Sequence, residues 1–346
     1  MKKSLFVLLS VLVLSSLVLG ACAKPTAAPT AAPAPVETEA PVATEAPVVE
    51  PTAVPTEAPK ELGTADNPII IALAPSATAE QLTVGGEAIA AKMNELTGLT
   101  YEVIIPNSYT ALIEAMASGN AHVGFMPTLA YLLGKQADAM DVKLVVIRNG
   151  SDFYGAQFIA NVDSGLTSYF DATTNENTAD AATALAQFDG LRPCFTDPLS
   201  VSGYVIPSGI LKEQNVNFKT PAAVQGHPAV VAALYVGGIC DFGATYIDAR
   251  TSDKTHADVM DKIQVIWRTD NIIPNDNISF SNAMPEEIGT KVFDGFVAMA
   301  AEEAGLEILK NAGYEIQGLN PAEDSFYDAF RSALQASGVD ITTMVK

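Results

Sequence analysis

The chain has 346 residues, of which 49% are hydrophobic and 17% charged, which is enough for about two domains of roughly 100–200 residues each. It carries 40 Asp and Glu against 19 Lys and Arg, a formal net charge of −21 at pH 7. Nucleic-acid binding needs clustered Lys and Arg, so this charge excludes a protein that binds DNA or RNA through a basic face. Three Cys are too few for a small fold that depends on disulfides.

The first 21 residues have the features of an export signal. Lys2 and Lys3 precede an apolar run over residues 4–19, which is shorter than the ~20 residues of a membrane-spanning helix. The run ends at Leu19-Gly20-Ala21-Cys22, which resembles the bacterial lipobox, where the Cys is lipidated and begins the mature protein. We expect a lipoprotein signal peptide over residues 1–21 and a lipid on Cys22. The alternative is a plain secretory peptide followed by an incidental Cys.

Residues 22–63 predict a disordered linker. After Cys22 the segment is rich in Pro, Ala and Thr, and Pro at this density blocks both helices and sheet ladders. Few side chains here could form a core. The segment is either a spacer that holds a folded body away from a membrane or a disordered tail that does not need to span any distance.

The body begins with alternating strands and helices. Continuous apolar runs and helical spacing predict strands at 68–74, 100–105, 121–126 and 142–148, and helices at 80–96, 108–118 and 127–133. This order is typical of a doubly wound α/β domain.

A second cycle follows, and together the two cycles predict two lobes. Strands are predicted at 157–162, 191–196, 239–245 and 263–268, helices at 179–188, 198–211 and 228–236, and a mostly helical chain from Pro285 onward. The late return of the chain to the first lobe, together with the two cycles, indicates two doubly wound α/β lobes with a ligand cleft between them. We expect lobe 1 over 64–155 and 270–346, lobe 2 over 156–269, and crossovers near 152–158 and 268–272.

Several loop motifs, taken in order, resemble one family of binding proteins. They are Ser108–Ala115, Gly124–Tyr131, Asp163–Leu166, Asp197–Pro207, Gly226-His227, Gly238–Ala244 and Ile273–Asp276. Their order and spacing are similar to those of the substrate-binding proteins of phosphonate, phosphite and phosphate ABC importers. The resemblance covers roughly residues 66–330. It implies a type II periplasmic binding protein fold, in which two crossovers form a hinge between the lobes.

The resemblance also implies a function. The protein is expected to be a lipid-anchored extracytoplasmic monomer that captures a phosphonate, phosphite or phosphate oxyanion and delivers it to an ABC permease. No cofactor, metal or nucleic acid is expected. The alternatives are an exported hydrolase with a dispersed catalytic set and a ligand-sensing protein that resembles a receptor ectodomain. The sequence contains no Gly-x-Ser-x-Gly, Ser-x-x-Lys, P-loop or His-Glu-x-x-His motif that would favour an enzyme.

The loops at the carboxyl ends of the strands are where an open α/β sheet binds its ligand. Helices predicted to begin near Ser108, Thr128, Ser202 and His227 would point free N–H groups and a partial positive charge at an anion. Hydroxyls on the same loops would add neutral donors, which release a ligand more readily than a cluster of arginines. The expected site is therefore built from neutral groups.

We expect eight side chains to contact the ligand. The resemblance implies this for Tyr109, Thr128, Tyr131, His227 and Asp241, and position and spacing in the loops indicate it for Ser200, Ser202 and Thr245. His227 would help anion binding as a cation at lower pH, and Asp241, taken as the end of a buried strand, would accept a ligand proton or an ammonium. Several of these residues have a structural alternative, such as a core tyrosine at 131, a helix N-cap at Ser200 or a turn cap at Asp241. The family has Thr where this chain has Val201, so one expected hydroxyl is missing.

Cys194 and Cys240 are predicted at equivalent depths in two strands of the second lobe. Export makes a disulfide chemically feasible. Adjacent parallel strands give poor disulfide geometry, so two buried free thiols are the favoured interpretation.

Overall fold

The structure is a computed structural model, and it describes residues 60–336. The predicted signal peptide, Cys22 and most of the predicted linker lie outside the described residues, as do residues 337–346.

A six-stranded sheet and the helices packed on it form the first lobe. In spatial order its strands are Gly318–Pro321, Met140–Ile147, Asn277–Ser281, Val123–Met126, Ile69–Leu73 and Tyr101–Ile104. Asn277–Ser281 runs antiparallel to both neighbours, whereas the last three strands are parallel to one another. The internal strand Ile69–Leu73 is almost fully buried because helices cover both faces of the sheet, which explains its continuous apolar sequence.

The helices of the first lobe begin and end at the expected signals. Helix Ala79–Thr97 begins with a capping box between Thr78 and Gln81 and ends at Gly98, whose φ of 72° suits glycine. Ser108 caps the next helix by accepting a hydrogen bond from the Ala111 N–H. The helices of this lobe are Ala79–Thr97, Tyr109–Ala117, Thr128–Gln136, Glu286–Ala301, Glu303–Leu309 and Asp328–Ala336.

A five-stranded sheet forms the second lobe. Its strands in spatial order are Ala222–Ala223, Pro193–Phe195, Phe242–Tyr246, Ala156–Asn161 and Ile263–Arg268. Its helices are Ala181–Leu185, Ile206–Glu213, His227–Val236 and Val259–Lys262. Along strand Ala156–Asn161 the side chains alternate between two hydrophobic clusters, with Phe158 in one and Ile159 in the other. Both faces of this sheet are therefore packed.

The chain passes between the lobes twice, and the two passages pair with each other. Phe153–Tyr154 and Ile273–Pro274 form a two-stranded antiparallel sheet in which Tyr154 lies opposite Ile273. The Asn275 N–H also donates to the Asp152 carbonyl at 2.8 Å. The lobes are thus joined by a two-crossover hinge.

Two strands of the first lobe were not predicted. Asn277–Ser281 falls where no element was predicted, and Gly318–Pro321 falls in the region predicted to be mostly helical. Asn277–Ser281 is fully buried although every second residue is polar. Its two serines have internal partners, since Ser279 donates to Asn277 Oδ1 and Ser281 donates to the Met116 carbonyl, whereas the Asn277 Nδ2 is buried without a hydrogen-bond partner among the described residues.

Cys194 and Cys240 form a disulfide, so the favoured interpretation of two free thiols is wrong. The strand after Cys240 begins only at Phe242, and it is Gly243 that pairs with Cys194 in the sheet. Cys240 therefore lies in the turn before the strand rather than in a parallel ladder. This position brings the two Cα atoms to 5.5 Å, within the usual range for a disulfide.

Candidate functional site

A small cavity of about 30 Å³ lies between the two lobes. This is the space of roughly two or three water-sized spheres. Its first-lobe lining includes Ser76, Tyr109, Arg148, Asp276, Tyr314 and Glu315. Its second-lobe lining includes Ser200, Val201, Ser202, His227 and Tyr246, and Tyr154 reaches it from the hinge.

The fold explains why these residues meet. In the first lobe, Ser76, Tyr109 and Arg148 each follow the carboxyl end of a sheet strand. In the second lobe, Ser200 follows strand Pro193–Phe195, and Tyr246 is the last residue of Phe242–Tyr246. The carboxyl edges of the two sheets therefore face each other across the cavity, as expected for ligand sites in open α/β folds.

The serine loop, residues 200–203, presents two buried hydroxyls. Ser200 and Ser202 are 3% and 1% exposed. The Gly203 N–H donates to Ser200 Oγ at 3.2 Å, which leaves the hydroxyl proton of Ser200 available for a ligand. Because Val201 lies between the two serines, this turn offers two hydroxyls rather than three.

His227 is a neutral donor in this site. It is 4% exposed and is the first residue of helix His227–Val236. The Tyr246 N–H lies 3.4 Å from Nδ1, which assigns the ring proton to Nε2. Burial, reinforced by the nearby charge of Arg148, lowers the pKa of His227 to about 3. The ring is therefore neutral at pH 7 in this arrangement, and the contribution of a histidine cation to anion binding at lower pH stays a prediction.

Arg148 brings a positive charge that the sequence interpretation did not include. Its Nη2 donates to Asp276 Oδ2 at 2.6 Å and its Nε donates to the Tyr314 carbonyl at 2.5 Å. The Arg148 and Asp276 side chains are 14% and 15% exposed. Burial alone would lower the pKa of Arg148, but Asp276 outweighs it and raises that pKa. The site thus holds a charged guanidinium among neutral donors.

Tyrosines supply further neutral donors. Burial is the main cause that raises the pKa of Tyr109, Tyr154, Tyr246 and Tyr314, so all four phenols stay protonated. Tyr314 donates to the Ala74 carbonyl at 2.7 Å. A hydrogen bond with Ser202 partly opposes the rise in the pKa of Tyr154, which joins this phenol to the serine loop.

Four of the predicted side chains come together at the cavity and four do not. Tyr109, Ser200, Ser202 and His227 line it. The other four, Thr128, Tyr131, Asp241 and Thr245, are engaged elsewhere.

The partners of those four side chains explain their positions. Thr128 donates to the Pro274 carbonyl, and Tyr131 donates to Asp324. Asp241 is exposed and accepts from the Arg192 N–H. Thr245 is buried and donates to the Tyr246 carbonyl.

Sequence reasoning passed over three charged groups at the cavity. Arg148 was taken only as the end of a strand, Asp276 only as part of a loop motif, and Glu315 as part of a helical region. Arg148 did carry a signal, because a single arginine directly after an apolar strand, at the edge predicted to hold the ligand, is an unusual place for a charge. Asp276 and Glu315 carried none before the strand Asn277–Ser281 was known.

Two properties concern the described residues as a whole. Between residues 60 and 336, no three His, Cys, Asp or Glu side chains are grouped so that they could hold a metal ion. In the same range, no helix has the length and hydropathy needed to cross a membrane.

Comparison with known families identifies the fold and its role. The model of a family described as "ABC transporter, phosphonate, periplasmic substrate-binding protein" matches residues 71–327. The chain belongs to this family. It is therefore an extracytoplasmic substrate-binding protein of an ABC importer and not an enzyme, which confirms the binding function expected from the sequence over the hydrolase alternative.

Individual relatives agree with this assignment. The phosphate-import protein PhnD of Mycolicibacterium smegmatis is 24% identical over 298 residues, which cover 78% of this chain and 86% of that protein. The binding component of an ABC phosphonate transporter from Pseudomonas aeruginosa has a TM-score of 0.67 at 19% identity, over 78% of this chain and 86% of that one. PhnD1 of Prochlorococcus marinus, solved with methylphosphonate, has a TM-score of 0.68 at 13% identity, over 79% of this chain and 98% of that one. The fold is that of a type II periplasmic binding protein.

Proposed function

We propose that this protein captures a small phosphonate-type oxyanion in the cavity between its lobes and delivers it to an ABC permease. The observation that carries the proposal is the ring of buried donors from both lobes around one small cavity. The methylphosphonate bound to PhnD1 and the phosphate in the name of the mycobacterial relative support the same ligand class.

Each part of the cavity has a role in this proposal. Tyr109, Ser200, Ser202 and His227 donate hydrogen bonds to the oxygens of the anion, and Arg148 balances its charge. Charge-assisted hydrogen bonds of this kind are stronger than neutral ones. Asp276 and Glu315 leave acceptors for a proton that the ligand carries on one oxygen.

The size of the cavity favours ligands with a short substituent. About 30 Å³ leaves little room beyond one tetrahedral group. We therefore propose phosphite, phosphate or methylphosphonate before 2-aminoethylphosphonate, whose chain and ammonium need more space.

Calorimetry with these four anions tests the proposal. At least one should bind, and Ser202→Ala should weaken that binding roughly tenfold to a hundredfold, because one hydrogen bond to a charged ligand is lost. Ser208→Ala is the matched control, since Ser208 donates to the Val205 carbonyl within the serine loop's own helical segment and does not line the cavity. If none of the four anions at millimolar concentration raises the melting temperature of the wild type, the proposed ligand class is wrong.

The proposal also includes a lipid anchor on Cys22 and a monomeric state. It divides the chain into lobe 1, residues 64–155 and 270–346, and lobe 2, residues 156–269. The lipobox supports the anchor. The origin of the two sheets, from residues 69–147 with 277–321 and from residues 156–268, supports the division.

Replacing Cys22 tests the anchor. Cys22→Ser should leave the precursor uncleaved or release the protein from membranes, because serine offers no thiol for the lipid. Membrane fractionation and the mass of the N-terminal peptide measure both results. A variant that is processed and sediments with membranes like the wild type would contradict the anchor.

A further inference from the structure

Asp197 links the two lobes without lining the cavity. It lies in the second lobe, between strand Pro193–Phe195 and the serine loop. Its Oδ1 accepts from the Leu199 N–H at 2.8 Å, within the same turn. Its Oδ2 accepts from the Tyr109 N–H of the first lobe at 3.1 Å.

Tyr109 is the first residue of helix Tyr109–Ala117, so the carboxylate lies on a helix N-terminus. The free N–H groups at such an end, with their partial positive charge, attract an anion. The sequence predicted that the ligand would use this end. In the structure an anion of the protein itself occupies it, and the ligand is left with the Tyr109 side chain.

We propose that Asp197 is a positioning residue, which holds the lobes closed by binding the N-terminus of the opposite helix and so raises ligand affinity without touching the ligand. This inference deepens the proposed function. The expected effect on affinity rests on that function, whereas the expected effect on closure does not. A contact made only in the closed state raises the closed fraction, and the apparent affinity rises with that fraction.

Other hydrogen bonds also cross the cleft, and they differ in kind. The His227 N–H donates to the Ser76 carbonyl at 3.3 Å, between two neutral groups. Ser252 and Thr251 donate to Glu315 Oε1 at 2.9 and 3.5 Å, but Glu315 also lines the cavity. Asp197 combines a charge with a position outside the cavity, so its effect on closure can be separated from direct ligand contact.

Two substitutions at this position separate the contact across the cleft from the local turn. Asp197→Asn keeps one acceptor oxygen for two N–H donors, so its NH₂ group must face the other N–H, which then has no acceptor. Asp197→Ser can still accept from the Leu199 N–H, as serine does in such turns, but its hydroxyl is too short to reach Tyr109. Asp189→Asn is the control, because Asp189 accepts from the Asn217 N–H at 2.9 Å within the second lobe alone.

The experiment measures closure and affinity in the full-length protein. Fluorophores at the exposed positions Glu102 and Lys212, one in each lobe, report the closed fraction by energy transfer. Both Asp197 variants should show a smaller closed fraction without ligand, and affinity about tenfold lower for whichever of phosphite, phosphate and methylphosphonate the wild type binds. Saturating ligand should restore full closure, and Asp189→Asn should behave as the wild type.

Two results would overturn the inference. One is an Asp197→Ser protein whose ligand-free closed fraction equals that of the wild type. The other is a loss of affinity equally large in Asp189→Asn, which would make the effect a general one of lost charge. If the wild type binds none of the anions, the proposed function fails, while the ligand-free comparison still decides the role of Asp197.

Discussion

Replacing Arg148 with glutamine should abolish anion binding and weaken the folded state together. The guanidinium is the only arginine side chain that lines the cavity within residues 60–336, and it pairs with Asp276 at 2.6 Å. Removing one partner of a buried ion pair leaves an uncompensated charge and costs about 3–5 kcal/mol of stability. The stranded carboxylate also repels an incoming anion, so affinity should fall more than about a hundredfold.

A double substitution separates the two effects. Arg148→Gln with Asp276→Asn leaves no buried charge unpaired, so most of the free energy of unfolding should return while the anion still lacks its cation. Arg192→Gln is the control, because Arg192 is exposed and lies away from the cavity. Denaturant unfolding and calorimetry on the three proteins measure both quantities. Binding by the double variant at wild-type strength would show that Arg148 has a structural role only.

Apolar patterning predicted the parts of the fold that depend on it. Strand Ile69–Leu73 was predictable because an internal parallel strand is buried on both faces and must be apolar throughout. Strand Asn277–Ser281 is just as buried, but its Asn and Ser side chains at every second position interrupt the apolar pattern from which a buried strand is predicted. Ser281 is satisfied by the carbonyl of Met116, 165 residues away, which local sequence cannot indicate.

The site followed from the fold where the strand ends were predicted correctly. Ser200 and Ser202 follow a strand whose end was predicted within one residue, and both reach the cavity. Asp241 was taken as the end of a strand, yet its strand begins one residue later, at Phe242. Asp241 therefore lies at the amino edge of the sheet, opposite the cavity. Tyr246, the last residue of the strand, lies at the carboxyl edge. The placement of Arg148 at the site depends on its ion pair with Asp276, which lies 128 residues further along the chain.

Adding one methyl group at Gly203 should disrupt the serine loop. A Cβ built at this position would lie 2.0 Å from Thr196 Oγ1 and 2.9 Å from Ser200 Oγ, both far inside contact distance. The Gly203 N–H donates to Ser200 Oγ, so any shift moves a hydroxyl that lines the cavity. Gly203→Ala should cost about 1–3 kcal/mol of stability, as overpacking does in a tight interior. It should also weaken oxyanion binding roughly tenfold to a hundredfold.

A matched glycine on the same segment provides the control. Gly209 lies six residues later in helix Ile206–Glu213, and its Cβ would meet no atom within 4 Å, so Gly209→Ala should leave binding unchanged and stabilise the helix by about 0.5–1 kcal/mol. Adding Thr196→Ala to Gly203→Ala removes the nearest clashing atom but leaves the Cβ of residue 196 at 3.0 Å, so it should rescue affinity in part. Thr196 Oγ1 is buried and has no hydrogen-bond partner among the described residues, so its loss breaks no bond. Wild-type affinity in Gly203→Ala, measured by calorimetry, would mean that the serine loop does not hold the ligand.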